Sequence, residues 1–137
     1  VGLYRIVDLK EIKRALDAGR FLQSMQAQDP YDEGEVIFLF EFQHSKDVTN
    51  RYGNIIAESR DEIDKLYLLE FDVDINKVEN DQSQNGWPES RVYNGSVDLN
   101  RIKCIGYCAV INSSPGSIEV STLKYYSKPK DLRKLFD

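Results

Sequence analysis

One histidine and two cysteines in 137 residues are too few for a structural zinc site, which takes about four such ligands. Long apolar runs are missing as well. Stretches such as Val36 to Phe40 fall far short of the roughly 20 residues that span a bilayer, so no membrane helix is expected. Positive charge is the minority: 18 Lys and Arg against 23 Asp and Glu leave −5, which argues against nucleic-acid binding by charge. No Gly-rich phosphate loop, repeat, heptad array or low-complexity tract occurs. What remains is 41% apolar and 11% aromatic, enough to offset the ordering entropy of one folded domain over residues 1–137.

The chain begins at Val1 rather than Met, so a processed or excised piece is expected, with no basic-then-apolar signal segment in view. Cys104 and Cys108 lie four apart in an apolar run. On a regular strand both thiols share one face at roughly 13 Å, beyond the roughly 7 Å between Cα atoms that a disulfide tolerates. Two buried free thiols suit a reducing, cytoplasmic site of action.

Hydrophobic spacing predicts a β-α-β-α-β order, then further strands and a short helix. Leu3 to Val7 is a first strand, and Asp8 caps a helix with Glu11 in the capping-box position and Gly19 at its end. Phe21 to Gly34 is polar and turn-rich. Val36 to Phe42 reads as a strand buried on both faces, and Ser45 starts a second helix running through Tyr52. Leu66 to Val73 and Cys104 to Ile111 are central strands, separated by a long polar segment from Asn76 to Pro88. After the Ser113 to Gly116 turn come a strand, Ser117 to Tyr126, and a terminal helix opened by Pro129. The expectation is an α+β domain: a mixed, mainly antiparallel sheet, two early helices and a short C-terminal helix.

Charge is segregated along the chain. Residues 58–89 hold ten acids and three bases, a local −7, whereas residues 120–137 hold five bases and two acids. Solvated surface explains most of this, but the basic tail also suits an anionic ligand or acidic partner. Asp72, Asp74 and Asn76 alternate as calcium-loop oxygens do, yet Lys77 and Ser83 stand where an EF-hand needs Gly and Glu. His44 has no nucleophile partner that the sequence identifies.

Two features carry more chemistry. Arg5 lies mid-strand between apolar neighbours, where it needs an anionic partner, either a structural carboxylate or a bound phosphate. Glu89 follows Trp87-Pro88 at the entrance to a strand, with Arg91 and Tyr93 on its side of the pleat. A loop that delivers a carboxylate to a rigid strand is a plausible catalytic arrangement.

Arg5 on the first strand, an aromatic strand followed by the helix from Ser45 to Tyr52, and the strand beginning Glu89-Ser-Arg-Val-Tyr-Asn-Gly resemble the ADP-ribosyltransferase fold family over residues 3–102. That resemblance implies NAD as substrate, with Arg5 on its phosphates or ribose, Ser45 supporting the site and Tyr52 near the nicotinamide. It makes Glu89 the catalytic carboxylate. It further implies transfer of ADP-ribose to a protein or other macromolecule, or to water, in a toxin or effector. Trp87 stands where arginine-modifying members carry Gln or Glu, so an arginine acceptor is not implied. The alternative is a non-enzymatic protein-binding module of immunity, adaptor or regulatory type.

Overall fold

The computed structural model describes residues 2–21, 36–50, 65–80, 90–114 and 117–136. Its elements are β1 (Gly2–Val7), α1 (Leu9–Ala18), β2 (Arg20–Phe21), β3 (Val36–Leu39), β4 (Lys65–Asp72), β5 (Val78–Asn80), β6 (Arg91–Asn94), β7 (Val97–Asp98), β8 (Ile102–Ser114), β9 (Ser117–Val120) and β10 (Lys124–Asp131). Residues 45–50 are also helical. Every strand pairing among the described residues is antiparallel, so the domain is α+β.

The larger sheet runs β1-β4-β8-β10, with β9 on the far part of β8. A three-stranded sheet runs β3-β6-β5, and β2 pairs with β7. The two larger sheets meet where Tyr4 and Phe40 exchange backbone hydrogen bonds of 2.8 and 2.9 Å. In space, therefore, the order at this joint is β6-β3-β1-β4.

Alternation along β1 and β4 builds an apolar cluster on each face of the sheet. Leu3, Val7, Leu69 and Phe71 turn one way and pack with Ile12 and Ala15 of α1, with Phe21, and with Ile37 and Leu39 of β3. Ile6, Leu66 and Leu68 turn the other way and pack with Phe40 and Val48. The α1 ends follow sequence chemistry: the Asp8 carboxylate accepts from the Glu11 N–H at 2.9 Å, and Gly19 takes a left-handed φ of 77°.

Four expectations change. Phe21 is not loop but a fully buried strand residue whose ring meets Phe71 edge-on at 5.1 Å. The aromatic strand stops near Phe40. Phe42 opens a tight helical turn and is 48% exposed, because the chain must bend there into the helix at 45–50. Ser45 is already helical; its hydroxyl donates back to the Phe42 carbonyl at 2.6 Å instead of capping the helix start. Pro129 lies within β10, where the register slips between Tyr125 and Lys130, and the chain turns helical only from Leu132. An edge strand at an irregularity tolerates a residue with no N–H to donate.

The cysteine geometry is also corrected. Leu68 pairs with Gly106 but Leu69 with Cys104, so Ile105 is an extra residue in β8. This bulge inverts the alternation. Cys104 joins the cluster of Leu69 and Phe71, whereas Cys108 joins that of Leu66 and Leu68 on the opposite face. Both are free and buried.

Candidate functional site

The adjacency β6-β3-β1 brings the ends of three strands around one pocket of about 410 Å³. Its walls include Leu3 and Tyr4 from β1, Glu41 to Gln43 beyond β3, Ile75 and Val78 near β5, and Arg91 at the start of β6. The lining thus combines apolar and aromatic surface with a few polar groups.

Tyr4 sits on the face of β1 opposite Arg5. Its hydroxyl donates to Glu70 Oε2 at 2.6 Å across the β1–β4 pair. Burial first, and this bond to Glu70 second, push its pKa up to about 12. Phe42 meets the Tyr4 ring edge-on at 5.2 Å and lies 5.9 Å from Tyr125, making an aromatic row with Phe42 and Tyr125 about half exposed.

The two arginines near this region have opposite settings. Arg5 is 8% exposed and faces Glu11, which is fully buried, with Nη2 to Oε1 at 2.9 Å and Nε to Oε2 at 3.2 Å. Its Nη1 also donates to the Phe38 carbonyl at 3.1 Å, and the guanidinium lies 5.9 Å from the centre of the Phe21 ring. Arg5 therefore ties β1 to α1 and β3, and the anionic partner that the sequence required is a structural carboxylate. Removing one member of such a buried pair costs roughly 3–5 kcal/mol.

Arg91 is different. Its Nη2 reaches Glu41 Oε1 at 3.3 Å, with side chains 25% and 48% exposed, and its Nη1 donates to the Ser90 carbonyl at 3.1 Å. A pair in that setting is worth roughly 0.2–1 kcal/mol. Both members line the pocket.

Of the residues singled out from sequence, Glu89 and Tyr52 lie outside the described residues. Arg5 and Ser45 are described, and neither is among the described residues lining the pocket. Ser45 is 4% exposed, bonding to Phe42 through its hydroxyl and accepting from the Thr49 hydroxyl at its carbonyl. Sequence reasoning missed Tyr4, Glu41 and Glu70. Only the first left a signal, as the polar-tipped aromatic alternating with Arg5 on one strand.

Two weaker candidates have local hydrogen-bond partners. The Asp74 side chain accepts from the Asn76 N–H at 3.0 Å, capping a tight turn. His44 lies 3.3 Å from the Gln43 amide. Among the described residues no group of three His, Cys, Asp or Glu could hold a metal, and no helix is long and apolar enough to cross a membrane. Comparison with protein-family models, with curated proteins and with solved structures finds no match to this chain.

Proposed function

We propose that this domain binds NAD and transfers ADP-ribose to a macromolecular acceptor or to water, acting in the cytoplasm as a toxin or effector. The observation supporting this reading is the adjacency of the three strands on which the family resemblance rests. β1 carries Arg5, β3 leads into the helix containing Ser45, and β6 follows Glu89 by two residues. Through Tyr4–Phe40 and Leu39–Arg91 these strands stand side by side, and their ends line one pocket.

The chemistry asks little of such a pocket. Cleavage of the nicotinamide–ribose bond passes through an oxocarbenium-like state. Glu89 would stabilise that charge by accepting a bond from a ribose hydroxyl, more strongly in the transition state than before it. Arg5 would act by holding β1 against α1 and β3.

The test is NAD turnover. Wild-type protein should consume NAD, and Glu89→Gln should lower the rate by about a hundredfold or more with the fold unchanged. Wild-type protein that neither binds nor cleaves NAD removes the proposal.

A second reading, a non-enzymatic protein-binding module, draws on the exposed aromatic pair Phe42 and Tyr125. Aromatic side chains of this kind anchor partner surfaces. On that reading Phe42→Ala abolishes capture of a protein partner, and Glu89→Gln changes nothing.

A further inference from the structure

We propose that the sheet face carrying Tyr67, Tyr107 and Tyr126 binds single-stranded nucleic acid, with bases stacking on the rings while Lys65, Lys124 and Lys130 meet phosphates.

Strand register builds this surface. Tyr67 of β4 lies directly opposite Tyr107 of β8, and the Tyr107 ring lies 5.6 Å from that of Tyr126 on β10, at 31°. The row therefore crosses three neighbouring strands. The Ile105 bulge makes it possible: with ideal alternation from Cys104, Tyr107 would turn to the other face. Tyr67 and Tyr126 rest on the apolar cluster beneath them, and all three tyrosines are half-buried. None of them is among the described residues lining the pocket.

Lysines stand beside the row. Lys65 is two residues before Tyr67, on the same face, and holds its ammonium 5.2 Å from the centre of the Tyr107 ring. Lys130 holds its own 4.3 Å from the centre of the Tyr126 ring, and Lys124 lies opposite Tyr107 in the β8–β10 register. Among the described residues none of these three lysines enters an ion pair. The acids of the same strands lie on the other face. Glu70 bonds there to Tyr4 and Asp131 to Lys103, and Asp72 shares that side by alternation.

This sorting by face points to the occupant. Lysines alone suit any polyanion, and rings alone suit an apolar partner. A row of rings with cations beside it matches a chain that alternates flat bases with phosphates, whereas an acidic peptide engages the lysines only. The net charge of −5 opposes binding by charge alone, and stacking adds an attraction that does not depend on it. Lys65 and Lys130 are exposed, and a cation–ring contact at a surface is weak, so each ammonium swings to a phosphate when a base takes its place on the ring.

The experiment is fluorescence anisotropy with labelled oligothymidylate and oligouridylate of about ten nucleotides, at salt concentrations from about 50 to 200 mM. The proteins are wild type, Tyr107→Leu, Tyr107→Phe, the double variant Lys124→Gln with Lys130→Gln, and Lys103→Gln. Circular dichroism and melting curves confirm that each is folded, and Tyr126→Leu replaces Tyr107→Leu if that variant unfolds. Expected is saturable binding by wild type, with log affinity falling against log salt at a slope of about −2, as three phosphate contacts on a single strand require. Tyr107→Leu should weaken binding about tenfold at every salt concentration, and Tyr107→Phe should leave it unchanged. The double lysine variant should flatten the slope to about −0.7. Lys103→Gln, which removes a charge from the other face, should bind as wild type does. Binding of either probe supports the proposal, and a preference between them shows whether the sugar hydroxyl is read. Wild type that leaves the anisotropy of both probes unchanged overturns it. Equal binding by wild type and Tyr107→Leu overturns it too, as does a Lys103→Gln variant weakened as much as the double lysine variant. Tighter binding of duplex than of single strand does the same. Polyglutamate that competes as well as an oligonucleotide of equal charge also overturns it, and assigns the lysines to an acidic protein.

Discussion

Arg5 illustrates how much a single side chain can organise. One guanidinium reaches α1 through Glu11 and β3 through the Phe38 carbonyl, from a strand whose other residues are mostly apolar. Such pairs are poor sources of stability but costly to break by halves. Glu11→Gln should therefore lower unfolding stability by about 3 kcal/mol, whereas Arg5→Met with Glu11→Leu should fall within about 1 kcal/mol of wild type. Urea denaturation of the two singles and the double, read as a cycle, checks this. Equal losses in single and double variants would show that the pair itself contributes the stability.

At the scale of the element, β8 is the informative strand. Its extra residue, Ile105, sends Cys104 and Cys108 to opposite faces. One position further on, Gly106 lies against the Lys124 carbonyl of β10, where an added Cβ would approach to 2.5 Å. That oxygen belongs to a sheet backbone, so it yields only by moving the edge strand. Gly106→Ala should cost about 1–3 kcal/mol, the range for overpacking, and should loosen β10 first. Amide exchange along Lys124–Asp131 that stays as slow as in wild type would contradict this.

Across the whole molecule, several ionisable groups are held neutral by burial. Desolvation pushes the Cys104 thiol from 9.0 up to about 11, and Tyr4 and Tyr126 from 10.0 up to about 12. In each case the unfolded chain releases its proton at lower pH than the folded one. Stability should thus be intact below pH 9, fall as pH rises, and have lost these contributions by about 12. Melting temperatures recorded from pH 8 upward test the direction, and a flat profile through that range would refute it.

The same whole-molecule view explains what could be read from the chain and what could not. Strands such as β1 and β4 were legible because apolar and polar residues alternate or cluster there, and α1 because Asp8 and Gly19 mark its ends. Local pattern carries no information about a bulge, so the facing of Cys104 and Cys108 was misread from ideal alternation. Pro129 was misplaced for a related reason. Proline starts helices and also tolerates edge strands, and only the β8 pairing decides which. The pocket was least legible of all. Glu41 and Arg91 stand 50 residues apart and meet only because β3 pairs with β6. Arg5 drew notice because its neighbours are apolar, yet that is also the context in which a structural carboxylate is needed.

The joint between the two larger sheets rests on Tyr4, whose backbone pairs with Phe40 and which is also part of the pocket wall. One residue thus belongs both to the seam and to the pocket wall. A substitution that removes the Tyr4 side chain therefore alters the pocket wall at the same position where the two sheets are joined. The Tyr4 hydroxyl, bonded to Glu70, ties the same position to β4 as well.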